Sequence, residues 1–238
     1  MGRASALLLG SGQYRAEAVN FDGTNDWLSK AAALTITDSK QGTLSLWIKF
    51  ASDGVFSRII ETGSRPNLFR DTDNKVYFRC VNSAAVAILV MNTSAITAAS
   101  GWKHIIGAWD LATSTTQIYV NDTSDATVTT STNETIDYDG ASNAGIGGTS
   151  AGADKISADV ADVWFSTTFI DLSVSANRRK FIANNLKPVY LGPTGTGPGA
   201  TPVIYLSGAL ASWETNKGTG GGFTENGALT QSATSPSD

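Results

Sequence analysis

The sequence predicts an all-β sandwich formed by one large domain. Short runs rich in Val, Ile, Tyr, Phe and Trp recur over residues 19–169, and clusters of Gly, Asn, Asp and Ser break them at regular intervals. Only one stretch repeats its apolar residues at helical spacing. The length of 238 residues fits an undivided domain, since all-β domains run to roughly 200–250 residues.

Each element has its own signal. In Thr43-Leu44-Ser45-Leu46-Trp47-Ile48-Lys49-Phe50, alternation puts Leu44, Leu46, Ile48 and Phe50 on one face of a strand. Trp47 falls on the opposite face, which predicts something packed there too. Residues 76–81 and 86–91 are β-rich and flank the turn-capable pair Asn82-Ser83. Residues 102–110 and 116–121 form a second pair, joined by Ala112-Thr113-Ser114, and 160–169 form a further strand. Between 123 and 157 the chain is polar and reads as surface loop and edge strand, with a short strand at 143–147. A helix is predicted over 173–185, capped by Ser173, with Val174, Phe181 and Ile182 on one face and Arg178, Arg179 and Lys180 in solvent; Pro188 ends it. Five of the six prolines and ten of the 24 glycines lie from Pro188 onward, which reads as an extended arm with one strand near 202–206. The predicted organisation is an N-terminal arm (1–16), a sandwich (17–187) and a Gly/Pro-rich C-terminal arm (188–238). Met1 to Gln13 is read as part of the mature chain, because its apolar run stops too soon for a signal peptide.

Composition excludes several functions. A net charge of −4 leaves no basic excess for nucleic acid. No apolar run approaches the ~18 residues of a membrane helix. The single cysteine, Cys80, cannot form an internal disulfide, and the single histidine, His104, is a poor basis for His-dependent catalysis. There is no Gly-Lys-Ser/Thr phosphate loop, dinucleotide fingerprint or G-x-S-x-G elbow. Asp159 and Asp162 lie three apart, so a flat strand turns them to opposite faces rather than pairing them across a glycosidic bond. The chain is therefore expected to be non-enzymatic, with no cofactor required.

Calcium is the metal that the residue types allow. Asp22, Asn25 and Asp26 form one Asx cluster, and Asp137, Asp139 and Asn143 another; oxygen-rich loops of this kind bind calcium, although Asx residues beside glycine are also ordinary turn formers. Five of the six tryptophans lie in strand-like segments. Trp213 does not, and with Phe223 it is the candidate attachment contact of the C-terminal arm.

Several segments in order resemble laminin-G-like, concanavalin A-type jelly-roll domains. These are Val19-Asn20-Phe21-Asp22-Gly23-Thr24-Asn25-Asp26-Trp27-Leu28, the strand around Trp47, Trp102-Lys103-His104-Ile105 with Trp109-Asp110, Ile118-Tyr119-Val120-Asn121-Asp122, and 156–173. Asp122 stands where that family usually has glycine. The stretch 203–208, with Trp213, 216–223 and 235–238, resembles the tails of laminin-G-like proteins encoded by tailed bacteriophages and prophages. The second resemblance implies a virion structural protein: a head decoration, head fibre or tail-associated component, homo-oligomeric and in contact with other virion proteins. The alternative is a carbohydrate-binding module for adsorption to host surface polysaccharide.

Overall fold

Period-two alternation gives the strands one apolar face each, and two sheets bury those faces against one another. The computed structural model describes residues 14–62, 66–140 and 143–238. Strands are numbered along the chain. The first sheet runs in the order β10 (Thr123–Ser124), β9 (Thr115–Val120), β8 (Lys103–Asp110), β3 (Gln41–Phe50), β13 (Ser157–Ser166), β1 (Val19–Asp22) and β16 (Thr230–Gln231), with β14 (Ile204–Leu206) also pairing with β13. The second runs β11 (Thr127–Ser131), β7 (Ala87–Asn92), β6 (Val76–Val81), β5 (Asn67–Arg70), β4 (Ser57–Glu61), β12 (Ala144–Ile146), β2 (Trp27–Lys30) and β15 (Thr224–Asn226). All the pairings are antiparallel. This is the expected sandwich.

Leu44, Leu46, Ile48 and Phe50 of β3 enter the central core as the alternation requires. They meet Leu68, Phe78, Leu89 and Met91 of the facing sheet. Gly107 of β8 leaves the space that the Phe78 ring occupies; a Cβ there would lie 2.6 Å from that ring. Strand β13 carries a bulge between Ala161 and Trp164. Before it Ala158 and Val160 point inward; after it Val163 and Phe165 do, so the extra residue keeps both halves in register with the core. Asp162 takes up the offset at a φ of +48°, a conformation that Asp tolerates better than most residues.

The chain beyond residue 187 departs from the expected arm. Its strands β14, β15 and β16 join both sheets. Trp213 is completely buried in the central core, edge-on to Phe21 at 6.0 Å, and Phe223 and Leu229 join the same cluster. Trp213 and Phe223 thus fasten the C-terminal segment to this domain, but from within its core rather than on a surface. Burying such large apolar rings is worth more than leaving the Gly/Pro segment free. Residues 1–13 of the predicted N-terminal arm lie outside the described residues. Beyond them Ala16 packs under Ser235 and Ser237, and Arg15 pairs with Asp238 at 2.7 Å.

The predicted long helix is one turn, α1 (Ser175–Arg178), entered through Val174 rather than capped by Ser173. It stops early because Phe181 and Ile182 are drawn onto the outer face of the first sheet. The basic residues are not free in solvent either. Arg178 and Arg179 both bind the Asp122 carboxylate, Arg178 at 2.5 Å, and Lys180 donates to the Pro198 carbonyl at 3.0 Å. That accounts for Asp122 in place of glycine: Asp holds the turn at φ +67° and clamps the following segment.

The outer face of the first sheet is therefore covered. Trp164 donates to the Gly195 carbonyl at 2.8 Å and meets Phe181 edge-on at 5.3 Å, with Ile170, Leu172, Leu191 and Tyr205 around it. Further along, Ala16, Ala18 and Ile182 seal Trp47 and Ala161. Two ionisable groups are trapped beneath. His104 shares a hydrogen bond with Ser45 at 2.9 Å, lies against Trp47 at 4.9 Å, and is pushed down to about 3 by burial. Asp162 accepts a hydrogen bond from Tyr14 at 2.9 Å and is pushed up to about 7, again by burial.

These shifts act on stability with opposite signs. The unfolded chain takes up a proton at His104 below its ordinary value of 6.5, so that residue's contribution is lost as pH falls toward 3. The folded chain keeps a proton on Asp162 that the unfolded chain releases near 3.8, so that contribution is lost as pH rises toward 7. Urea midpoints of Asp162→Asn should therefore rise with pH across this window, and those of His104→Asn should fall. Profiles parallel to the parent would contradict the assignment. Trp213→Ala should cost about 3–5 kcal/mol in the same urea assay, and a chain ending at residue 187 should lack a cooperative transition.

Candidate functional site

The outer face of the second sheet carries a row of partly exposed large side chains. Arg58, Phe69 and Tyr77 stand directly opposite one another on β4, β5 and β6. The Phe69 and Tyr77 rings are stacked, with centroids 5.1 Å apart and planes inclined by 5°. Phe56 extends the row, 5.5 Å from Phe69. The Arg58 guanidinium lies 5.3 Å from the Phe56 ring and 5.9 Å from Phe69. All four side chains are half-buried.

This aromatic ridge has polar ends. Tyr77 donates its hydroxyl to Asp73 at 2.9 Å, and Asp73 pairs with Lys75 at 3.6 Å. Burial, reinforced by the bond to Asp73, raises the Tyr77 hydroxyl above its ordinary value and keeps it neutral. At the other end Arg58 reaches Asp154 at 3.5 Å. Apolar rings with charged and hydroxyl groups at either end suit a ligand that is itself part apolar face and part hydroxyl rim.

Asp159 and Asp162 occupy separate environments. Asp159 binds Asn20 at 2.9 Å and Lys49 at 3.4 Å, whereas Asp162 is sealed under the covering segment. His104 is also inaccessible.

The first Asx cluster is a built turn. Asp22 Oδ1 accepts from the backbone N–H groups of Thr24, Asn25 and Asp26 at 2.7–3.3 Å, and these bonds hold the carboxyl below its usual range. Asp26 accepts from the N–H of Asp22 and of Ala228. The second cluster divides. Asp137 and Asp139 converge with Asp38, their carboxylate oxygens within 4.8 Å of one another, while Asn143 lies beside Ser29 and Lys30. Among the described residues, these three carboxylates are a group with the donor chemistry for a divalent cation. Asp38 was invisible to a search by local spacing because it joins Asp137 across the fold. The ridge was likewise missed, because Phe56 and Phe69 sit outside the strands recognised from the sequence. The Tyr77–Arg79 alternation, with Phe78 and Cys80 inward, was the available signal for an outward aromatic.

The fold agrees with the comparisons. Residues 22–171 match the family model described as the concanavalin A-like lectin/glucanases superfamily, of laminin G type. No curated protein matches the chain in sequence. Among solved structures, the chain is similar to a putative carbohydrate binding protein from Bacteroides ovatus (TM-score 0.62, 14% identity), covering 93% of this chain and 62% of that one. A pentraxin from Limulus polyphemus (TM-score 0.48, 14% identity) covers 66% of this chain and 79% of that one. A Ruminococcus gnavus sialidase module bound to sialyllactose (TM-score 0.46, 13% identity) covers 68% and 94%. At such identities the likeness concerns fold alone. The family model spans well over half of the chain, and this protein belongs to the concanavalin A-like lectin/glucanases superfamily.

Proposed function

We propose that this chain is a non-enzymatic carbohydrate-binding module and that the aromatic ridge on the second sheet is its recognition surface. The single observation that carries this reading is the row Phe56–Phe69–Tyr77 held open on one sheet while the opposite face is covered. Pyranose rings offer C–H faces that pack on aromatic carbon and hydroxyls that pair with Arg58, Asp73 and Lys75. Nucleic acid, which also stacks on aromatics, is disfavoured by the charge of −4. The family and the similar Bacteroides ovatus protein support the same class of ligand.

A second reading is a structural component of a bacteriophage virion, located on the particle and repeated with other virion proteins. Residues 14–16 and 235–238 are tied together by Arg15–Asp238, Ser235–Ala16 and Ala16–Ser237 contacts. A rigid body tied in this way suits mounting at one point. The two readings are compatible, since an adsorption module presents its sugar site outward from the particle.

A glycan array probed with and without calcium should retain the parent chain on bacterial polysaccharides. The double variant Phe69→Ala/Tyr77→Ala should lose at least about ten-fold in affinity, the equivalent of ~1.4 kcal/mol, while remaining folded by circular dichroism. Retention of that variant at parental strength would reject the ridge.

A further inference from the structure

Arginines in this fold are matched by acids. Arg15, Arg58, Arg70, Arg178 and Arg179 each pair with an aspartate. Arg79 is the exception among the described residues, with no carboxylate at ion-pair distance. It follows Tyr77 by two residues on β6, so the pleat turns both side chains to the outer face, while Phe78 and Cys80 enter the core. Like Tyr77, it is half-buried. Its cross-strand neighbours, Asn67 and Val90, carry no charge. The acids of this face stand apart from it. Asp71 and Asp73 lie in the turn before β6 and act on the Tyr77 hydroxyl, on the other side of Tyr77 along the chain. Glu61 is in line with Arg79 through Asn67, two strands or about 10 Å away, and accepts the Ser150 N–H at 3.5 Å. An unmatched guanidinium therefore adjoins the aromatic ridge.

We propose that Arg79 reads a sugar carboxylate, so that the polymer held on the ridge contains uronic acid residues. The proposal rests on the carbohydrate-binding reading of the ridge and names the class of its ligand. A guanidinium fork donates two parallel N–H bonds to a planar carboxylate, and these are stronger than bonds to neutral hydroxyls. In a uronic acid the carboxylate is attached at the rim of the pyranose, beside the C–H face that packs on an aromatic ring. Tyr77 and Arg79 stand about 7 Å apart along the strand, so one sugar meets the ring with its face and the guanidinium with its carboxylate. Arg58 and Lys75 do not duplicate this role, because each already faces an aspartate. One carboxylate answered by one guanidinium needs no basic excess, unlike nucleic acid, whose binding draws on several phosphate contacts at once. With Asp71, Asp73 and Glu61 on the same face, one charge per sugar also suits the ridge better than a densely sulfated chain.

The test is calorimetric titration of the full chain with polygalacturonate, polyglucuronate and polymannuronate, each beside its carboxyl-reduced neutral form. Dextran sulfate serves as a polyanion without carboxylates. At least one uronate polymer should bind at least about ten-fold more tightly than its reduced form. Arg79→Gln should bring that uronate down to the level of the reduced form and leave binding of the reduced form unchanged. Arg79→Lys, which keeps the charge but not the fork, should recover part of the loss. Circular dichroism should show both variants folded. Uronates that bind no better than their reduced forms, parental uronate affinity in folded Arg79→Gln, or binding confined to dextran sulfate would overturn the proposal. In any of those cases, a neutral polysaccharide retained by the parent and lost by Phe69→Ala/Tyr77→Ala leaves the ridge reading standing, so the two fail separately.

Discussion

The unequal covering of the two sheets governs the rest of the molecule. Both sheets share one interior, but only the first has a second apolar layer on its back, where Trp164, Phe181, Leu191 and Tyr205 pack together. That layer exists because β3, β8 and β13 carry large apolar residues on both faces, as Trp47 and Ile106 do. A sheet with two apolar faces must be covered twice. The segment after α1 provides the cover, with Tyr190 exposed on its own surface, whereas the outer aromatics of β5 and β6 stay partly exposed on a sheet with no such cover.

The same constraint explains why the glycine- and proline-rich end is ordered. Its backbone follows a tight path: Gly195 lies so close to the Tyr205 ring that a Cβ would approach it to 2.7 Å. Such contacts need residues without side chains, and glycine provides them. The tryptophan that follows then enters the space between the sheets, and the last strands close one edge of each sheet. Composition alone signals flexibility here because it counts residue types and cannot register that Gly195 lies against the Tyr205 ring or that Gly218 and Gly220 lie against the Val203 backbone.

Much of the fold was legible. The strands around Leu46, Phe78 and Ile105 lie where their alternation requires, whereas the strand through Val163 keeps its inward face only by the bulge between Ala161 and Trp164. The short edge strands β15 and β16 were not, because Thr-Glu-Asn and Thr-Gln carry no apolar period and pair only because their partners are present. The helix is shorter than its apolar spacing predicts for a similar reason: Phe181 and Ile182 fit a helical face, but their packing sites lie on a sheet. Of the site, the pairing of Asp137 with Asp139 was readable locally. The convergence of Asp38 with them and the alignment of Phe56 with Phe69 both depend on strand order that no local window contains.

The central claim is that the uncovered sheet, and not the covered one, meets the ligand. The most direct measurement is intermolecular nuclear Overhauser transfer between a retained oligosaccharide and the aromatic protons of the whole chain. The account predicts transfer from the rings of Phe56, Phe69 and Tyr77 to sugar C–H protons. Transfer confined to Tyr190 and the segment covering the first sheet would contradict it.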